Sequence, residues 1–430
     1  MLDASDDQPE LDYGTRLSEI FFPVLAEWRS VLARLSVPPE TAFEIASVSR
    51  ASGSDFSTTL LATGTVRRAD LLAAVAGDLD LPVAEVIDPL KLIVGDEHAA
   101  ALLRDRARHV PVRLIESDGS ISFLITAQRI PLGLVRRRLK SSPALASRMK
   151  MADATQLRDA LMRRNRPALS KTAIAGLFDR YPAMSARFVA NAWQGTVVGV
   201  VITAIPVGLV LVPAHLLAVL HGLATFFFFS CVGLRFAAVA SLRPVRRGAP
   251  IEQPPADAPL YSILVALYRE AEMVPGLMTA LDRLVWPRDR LEIKLVCEAD
   301  DAATLAAIRT RTLPPHVEIV EVPPGEPRTK PKALAYALPL TAGAFVALYD
   351  AEDEPHPMQL AEAWQRFRHS GPDLAVVQAP LEISNRSDSL VARMFAFEYA
   401  GLFRGLLPWL SKRRLMLPLG GTSNHFRGLM

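Results

Sequence analysis

Two stretches without a charged residue lie back to back near the middle of the chain, Val189 to Val212 and Ala214 to Leu234, with only Pro213 between them. At 1.5 Å of rise per helical residue they would span roughly 36 and 31 Å, against a bilayer hydrocarbon core of about 30 Å. Residues 186–242 are therefore predicted to be two transmembrane helices in a tight hairpin. Arg163, Arg164, Arg166, Lys171, Arg180 and Arg187 precede the pair, and Arg235, Arg243, Arg246 and Arg247 follow it. Basic flanks stay on the cytoplasmic side. Both long arms are expected in the cytoplasm and the pair in the inner (cell) membrane, with membrane lipid as a partner.

A chain of 430 residues has room for two or three domains. The net charge of +3 and the lack of a basic motif argue against nucleic acid as a partner. The two cysteines, Cys231 and Cys297, form no C-x-x-C pair, so zinc or dithiol chemistry is not indicated. Residues 1–50 read as a helical segment, with LSEIFFPVLAEWRSVLARL apolar at helical spacing. Residues 51–185 alternate short helices and strands as a small α/β module, and VRLIESDGSISFLIT reads as a hairpin turning at Asp118-Gly119. Five prolines between Arg243 and Pro259 mark 243–259 as an extended linker.

From 260 to 430 the pattern alternates again. YSILVAL, LEIKLVC, VEIVEV, AFVALY and LAVVQ are strand-like, and the segments between the first four carry helical spacing. Such alternation predicts a mostly parallel sheet with crossover helices, in which ligands collect at the strand ends. The first strand ends in Tyr268, Arg269 and Glu270, and the second in Glu298, Asp300 and Asp301. The third leads to Arg328, Lys330 and Lys332, and the fourth ends in Asp350, Glu352 and Asp353. Acids and bases meeting on one edge suit a divalent cation with a diphosphate, carboxylates on the metal and lysines on the phosphates. Taken singly, each group has a plainer reading. DAED before proline suits the first turn of a helix, EADDAAT suits an N-cap, and K-P-K suits solvated surface. Their recurrence on four strand ends favours the ligand reading. His356 and His425 are expected to serve local hydrogen bonding, and Cys297 to be a small buried hydrophobe.

The ordered motifs ALYRE, CEADDAAT, TKPKALAYAL, YDAEDEP and GGTSNHF resemble the GT-A (Rossmann-like) domain of membrane-bound family 2 glycosyltransferases, the cellulose, chitin and hyaluronan synthases among them. The resemblance covers about residues 260–430. It implies an α/β fold and inverting, metal-dependent transfer of a sugar from a nucleotide sugar, UDP-linked by expectation, to a growing β-linked glycan acceptor. By the same resemblance Tyr268 and Glu270 match the nucleotide-binding start of the domain, and Asp300 the aspartate on the base. Lys332 matches the basic residue approaching the UDP moiety. Asp350 opens the D-x-D motif, with Glu352 or Asp353 completing a site for Mg2+ or Mn2+. Ala335 stands where relatives often carry asparagine. The segment 388–419, basic and aromatic, is amphipathic enough to lie on the inner leaflet and equally to pack on the sheet.

Residues 50–165 or so resemble the N-terminal domain of type II secretion ATPases, a docking module that implies a protein partner or, in some relatives, cyclic di-GMP. The T-E-D general base and the Q-x-x-R-W motif of the family are not found before Met430, so the chain is expected to be a C-terminally truncated piece lacking the base. A non-catalytic membrane receptor or scaffold is the second functional class compatible with this layout.

Overall fold

The computed structural model describes residues 19–104, 111–187, 191–241 and 250–428. The first eighteen residues, Val189, Arg243, Arg246, Arg247 and Met430 lie outside the described residues. The described residues fall into two compact units, one drawn from Met1–Ile174, Ile251–Val377 and His425–Met430, the other from Ala175–Pro250 and Gln378–Asn424.

The first unit begins with helices Pro23–Arg34 and Pro39–Ser52, each opened by a proline whose fixed φ suits a first helical turn. Gly53, at φ 63°, closes the second, a backbone state that glycine adopts at little cost. A small sheet follows, made of β1 (Leu92–Ile93), β2 (Val112–Ile115), β3 (Ile121–Thr126) and β4 (Met149–Ala152) in that order. β2 and β3 form the expected antiparallel hairpin. At its turn Gly119 takes φ 82°, and Asp118 Oδ1 accepts from the Ser120 N–H at 2.9 Å. The helix Ala154–Arg180 leaves β4.

The larger sheet contains β5 (Tyr261–Leu267), β6 (Leu291–Glu298), β7 (Val317–Val322), β8 (Phe345–Tyr349), β9 (Val376–Gln378) and β10 (Asn424–Arg427). Its order is β7-β6-β5-β8-β10-β9. β5 to β8 are mutually parallel, linked through helices Val274–Asp282, Ala302–Arg309 and Lys330–Ala337. Arg427 N donates to Ala375 O, and Ala379 N to Ser423 O, each at 2.9 Å, so β9 and β10 run in opposite directions. The fold is mixed α/β with a mostly parallel sheet. At the entry to β8, a Cβ on Gly343 would come within 2.4 Å of Ser262 Oγ, so only glycine passes there.

Alternate strand residues feed two cores. Ile263, Val265, Ile293, Leu295, Phe345 and Tyr349 pack with Leu277 and Leu281 of helix Val274–Asp282 and with Leu360 and Phe367 of helix Gln359–His369. Leu264, Val296, Val320 and Val346 face the other way, into a core shared with Leu103, Leu114, Leu124 and Leu157 of the N-terminal segment. A parallel sheet needs cover on both faces, and each leucine buried there stabilises by about 1.5–3 kcal/mol. The N-terminal module and the larger sheet thus share one core. On this second face Glu292 and Lys294 of β6 are wholly buried. Lys294 Nζ lies 3.4 Å from Glu292 Oε2 and 2.9 Å from Glu318 Oε2 on β7. Arg158, from helix Ala154–Arg180, pairs with the same Glu318.

In the second unit, helices Ala192–Leu211 and Pro213–Ala240 are separated by Val212 alone. Each contains an unburied stretch with a mean hydropathy of 2.0, and both are long and apolar enough to cross a membrane. Asn191 and Gln194 cap the first reciprocally. The segment that follows β9 contains helices Leu390–Ala400 and Leu407–Lys412 joined by a π-helical turn at Gly401–Leu406.

Candidate active site

The chain runs from β5 outward to β6 and β7, then returns to place β8 on the other side of β5. The sheet order therefore reverses between β5 and β8, and the loops leaving the carboxyl ends of two such strands diverge and open a crevice. A cavity of about 250 Å³ lies there, lined by Ala266 to Tyr268 and Glu270 after β5, Glu298, Arg328 to Lys330 and Ala333, and Asp350 and Glu352 after β8.

The turn after β5 is tied to the next helix. Arg269 takes φ 57° and donates its backbone N–H to Asp301 Oδ2 at 2.6 Å, while Glu270 N donates to Thr304 Oγ1 at 3.1 Å. Asp301 also caps helix Ala302–Arg309, accepting from Thr304 N at 3.2 Å. Burial pushes the Asp301 carboxyl up, but the bonds from Arg269 and Thr304 outweigh it and leave the group below its usual range. Tyr268 N donates to Glu270 Oε2 at 3.2 Å. Burial, with Glu352 nearby, holds the Glu270 carboxyl above its ordinary value despite that bond.

Thr329 caps helix Lys330–Ala337 through Lys332 N. Its two lysines part company, since residues two apart do not share a helix face. Lys330 reaches the cavity and pairs with Asp350. Burial lowers its ammonium from the ordinary value against the pull of Asp353, Glu352 and Glu270. Lys332 is buried, its Nζ 2.8 Å from Glu298 Oε1 and 3.0 Å from Gly325 O.

Of the residues singled out in the sequence, Tyr268, Glu270, Asp350 and Glu352 line the cavity together. Asp300 stands one contact back, 2.6 Å from the Arg328 guanidinium, which does line it. Hydrogen bonds from Arg328 to Tyr268 and Asp300 raise its already high pKa. Asp353 turns Oδ2 to the Asp350 backbone N–H at 2.7 Å. Lys332 is enclosed by Glu298 and Gly325. Arg328 and Glu298 stand at strand ends in the sequence without a role of their own, and Lys330 is expected there on the phosphates together with Lys332. The helix phase set by Thr329 is the signal that selects Lys330 over Lys332.

Among the described residues no three His, Cys, Asp or Glu side chains form a closed metal cage. Asp350 and Glu352 nevertheless face one cavity. Small divalent ions are commonly held by one or two carboxylates, with substrate phosphates completing the coordination, and this pair fits that chemistry. His425, expected to bond locally, is buried with Nδ1 2.8 Å from the Tyr261 hydroxyl, and His356 Nδ1 accepts from Met358 N at 3.2 Å. Burial pushes the Cys297 thiol up to about 12, which keeps it unreactive.

Residues 258–423 match the family model described as glycosyltransferase like family 2. The Arabidopsis thaliana protein named "Probable glucomannan 4-beta-mannosyltransferase 1" is 28% identical over 184 residues, 41% of this chain and 33% of that protein. The chain thus spans a third of the length of this relative. Among solved structures, mannosyltransferase PcManGT from Pyrobaculum calidifontis, in complex with GDP-Man and Mn2+, is 25% identical over 38% of this chain and 47% of its own, with a TM-score of 0.30. S. aureus TarS 1–349 in complex with UDP-GlcNAc is 19% identical over 26% and 31%, with a TM-score of 0.23. Superpositions this partial carry no weight for the chemistry of this chain. The match over 258–423 does, and it identifies that segment as a glycosyltransferase family 2-like domain.

Proposed function

We propose that the 260–430 segment is a GT-A domain that binds a nucleotide sugar for transfer to a growing β-linked polysaccharide, with inversion, at the inner membrane. The observation that carries this reading is the meeting of Asp350, Glu352, Lys330 and Arg328 around one cavity at the reversal of strand order. Asp350 and Glu352 would hold Mg2+ or Mn2+, which when bound would neutralise charge on a departing diphosphate. Lys330, already beside Asp350, would move its charge onto the phosphates. Tyr268 and Glu270 would border the nucleotide, and Arg328 with Asp300 would order the loop beside it. Lys332, clamped by Glu298, would fix the helix that presents Lys330. The two apolar helices would hold this site against the membrane, both arms cytoplasmic.

The donor is expected to be UDP-linked by family resemblance, whereas the mannosyltransferase relative favours a mannose-bearing donor, with the nucleotide left open between UDP and GDP. Titration calorimetry of the full chain with UDP, GDP and their sugar esters, with and without Mn2+, separates these. The proposal requires binding of one nucleotide that depends on Mn2+ and is lost in Asp350→Asn. Equal affinity without metal, or no binding of either nucleotide, would refute it.

A further inference from the structure

The helix that carries Lys330 to the cavity is too short to hold its own direction. It has eight residues, Lys330–Ala337, with Pro331 in its first turn. Isolated helices under about 12–15 residues are marginal in water, so packing must fix this one. Its buried residues are Lys332, Ala333, Tyr336 and Ala337, of which only Tyr336 offers a large ring. Tyr336 lies four residues after Lys332 and three after Ala333, and so on their side of the helix. Ala333 lines the cavity, and Lys332 is clamped by Glu298. A displaced ring therefore displaces the cavity wall.

What encloses Tyr336 comes from far away in the chain. The ring shares a core with Ala337 and Leu340 and with Ala99, Leu103 and Leu161 of the N-terminal module. Helix Asp96–Arg104 of that module packs on Leu338–Leu340, the turn that closes the Lys330 helix. Burial raises the Tyr336 pKa, against the pull of Arg166 from helix Ala154–Arg180, which hydrogen-bonds the phenol. The Lys330 helix also packs on β5, β6 and β7. It is thus held by the sheet and by the module, while its first turn reaches the cavity. Packed side chains and hydrogen bonds of this kind carry coupling between distant parts of a protein.

We propose that the N-terminal module sets the affinity of the cavity for a nucleoside diphosphate, and that Tyr336 is the positioning residue through which it acts. With the ring seated, Lys330 stays beside Asp350 and Lys332 on Glu298. With the ring unseated, the first turn of the helix drifts and the Lys330–Asp350 pair opens. The ligand named here rests on the donor-site reading above, whereas the placement of Lys330 can be measured with no ligand present.

Two measurements on the full chain test this. One is titration calorimetry with UDP or GDP and Mn2+. The other is trace acetylation of lysines by acetic anhydride without ligand, located by mass spectrometry. Tyr336→Ala should weaken nucleotide binding about fivefold, the low end of couplings between linked sites, and raise Lys330 labelling relative to the exposed Lys140 by a similar factor. Tyr336→Phe keeps the ring and should restore all but about twofold, the loss expected for one hydrogen bond and equally for Arg166→Gln. Arg166→Gln should add nothing to Tyr336→Ala, because its partner is already gone. Phe56→Ala deletes a buried ring from the module's other core, which does not include this helix, and should lower the unfolding midpoint while leaving both measurements unchanged. Effects of Phe56→Ala equal to those of Tyr336→Ala would reduce Tyr336 to general stability and overturn the proposal. Unchanged Lys330 labelling in folded Tyr336→Ala, or additive losses from Arg166→Gln, would overturn it too. Should Tyr336→Ala fail to fold, Tyr336→Leu takes its place under the same requirements. If the native chain binds neither nucleotide, the donor reading fails, and the labelling alone still decides whether Tyr336 positions Lys330.

Discussion

Two acid–base clusters on the same sheet use the same kinds of residue to opposite ends. Glu292, Lys294 and Glu318 sit within the sheet, on a face closed by the N-terminal module, with Lys294 and Glu292 wholly buried. Asp350, Glu352, Lys330 and Arg328 sit where the strands end and open onto a cavity. In the closed cluster the partners are protein groups, so its charges serve cohesion of module and sheet. In the open cluster Lys330 pairs with Asp350 and Arg328 with Asp300, and the same charges also line a cavity. Position along the strand, rather than composition, separates the enclosed charges from those that line a cavity.

The comparison breaks most visibly in the closed cluster. Lys294→Met keeps the volume but strips a buried ammonium from Glu292 and Glu318, and should cost about 3–5 kcal/mol of folding stability. Denaturant unfolding measures this, and a loss under about 1 kcal/mol would mean that water reaches the cluster. In the open cluster Asp350→Asn should behave conversely. It should leave the unfolding midpoint nearly unchanged while weakening Mn2+-dependent nucleotide binding about a hundredfold, or about 2.7 kcal/mol. Calorimetry on both chains checks it.

On the opposite face of the sheet, His425, buried against Tyr261 and Tyr349, carries a pH dependence. Burial lowers its pKa to about 4 from 6.5. Because the folded value is the depressed one, its contribution is complete above about pH 6.5 and is lost as pH falls toward 4. At pH 5 the loss should reach about 2 kcal/mol. Stability curves at pH 7 and pH 5 should differ by about that much more in the native chain than in His425→Gln. The smallest effect belongs to an open, solvated pair in the second unit. Arg404 and Glu382 are 65% and 63% exposed, and Arg404→Ala should change stability by under about 0.5 kcal/mol, again by denaturant unfolding.

Much of this arrangement is legible in sequence because its signals are local. The apolar runs of β5 to β8 and the acids that end them need only period and punctuation to be read, and Asp118-Gly119 announces its turn. What is not legible depends on partners distant in the chain. The burial of YSILVAL at all but Ala266, and of LEIKLVC throughout, implies cover on both faces, yet nothing local says that Leu103, Leu124 and Leu157 supply part of it. NHFR lacks an apolar strand pattern, and it becomes β10 because the edge of β8 is available to it. The K-P-K run offers two lysines without saying which one reaches the cavity. That follows from the helix phase, and the burial of Lys332 follows from Glu298 thirty-four residues earlier. Likewise Asp353 looks like a metal ligand in sequence, but its position three residues on lets it bond back to the Asp350 N–H.

The manganese electron paramagnetic resonance spectrum of the full chain tests the central claim most directly. Titrating Mn2+ in the presence of the bound nucleotide should abolish the free-ion signal up to one equivalent. Asp350→Asn and Glu352→Gln should leave the ion free, whereas Asp353→Asn should still take it up. Uptake that survives the loss of both Asp350 and Glu352 would contradict the account.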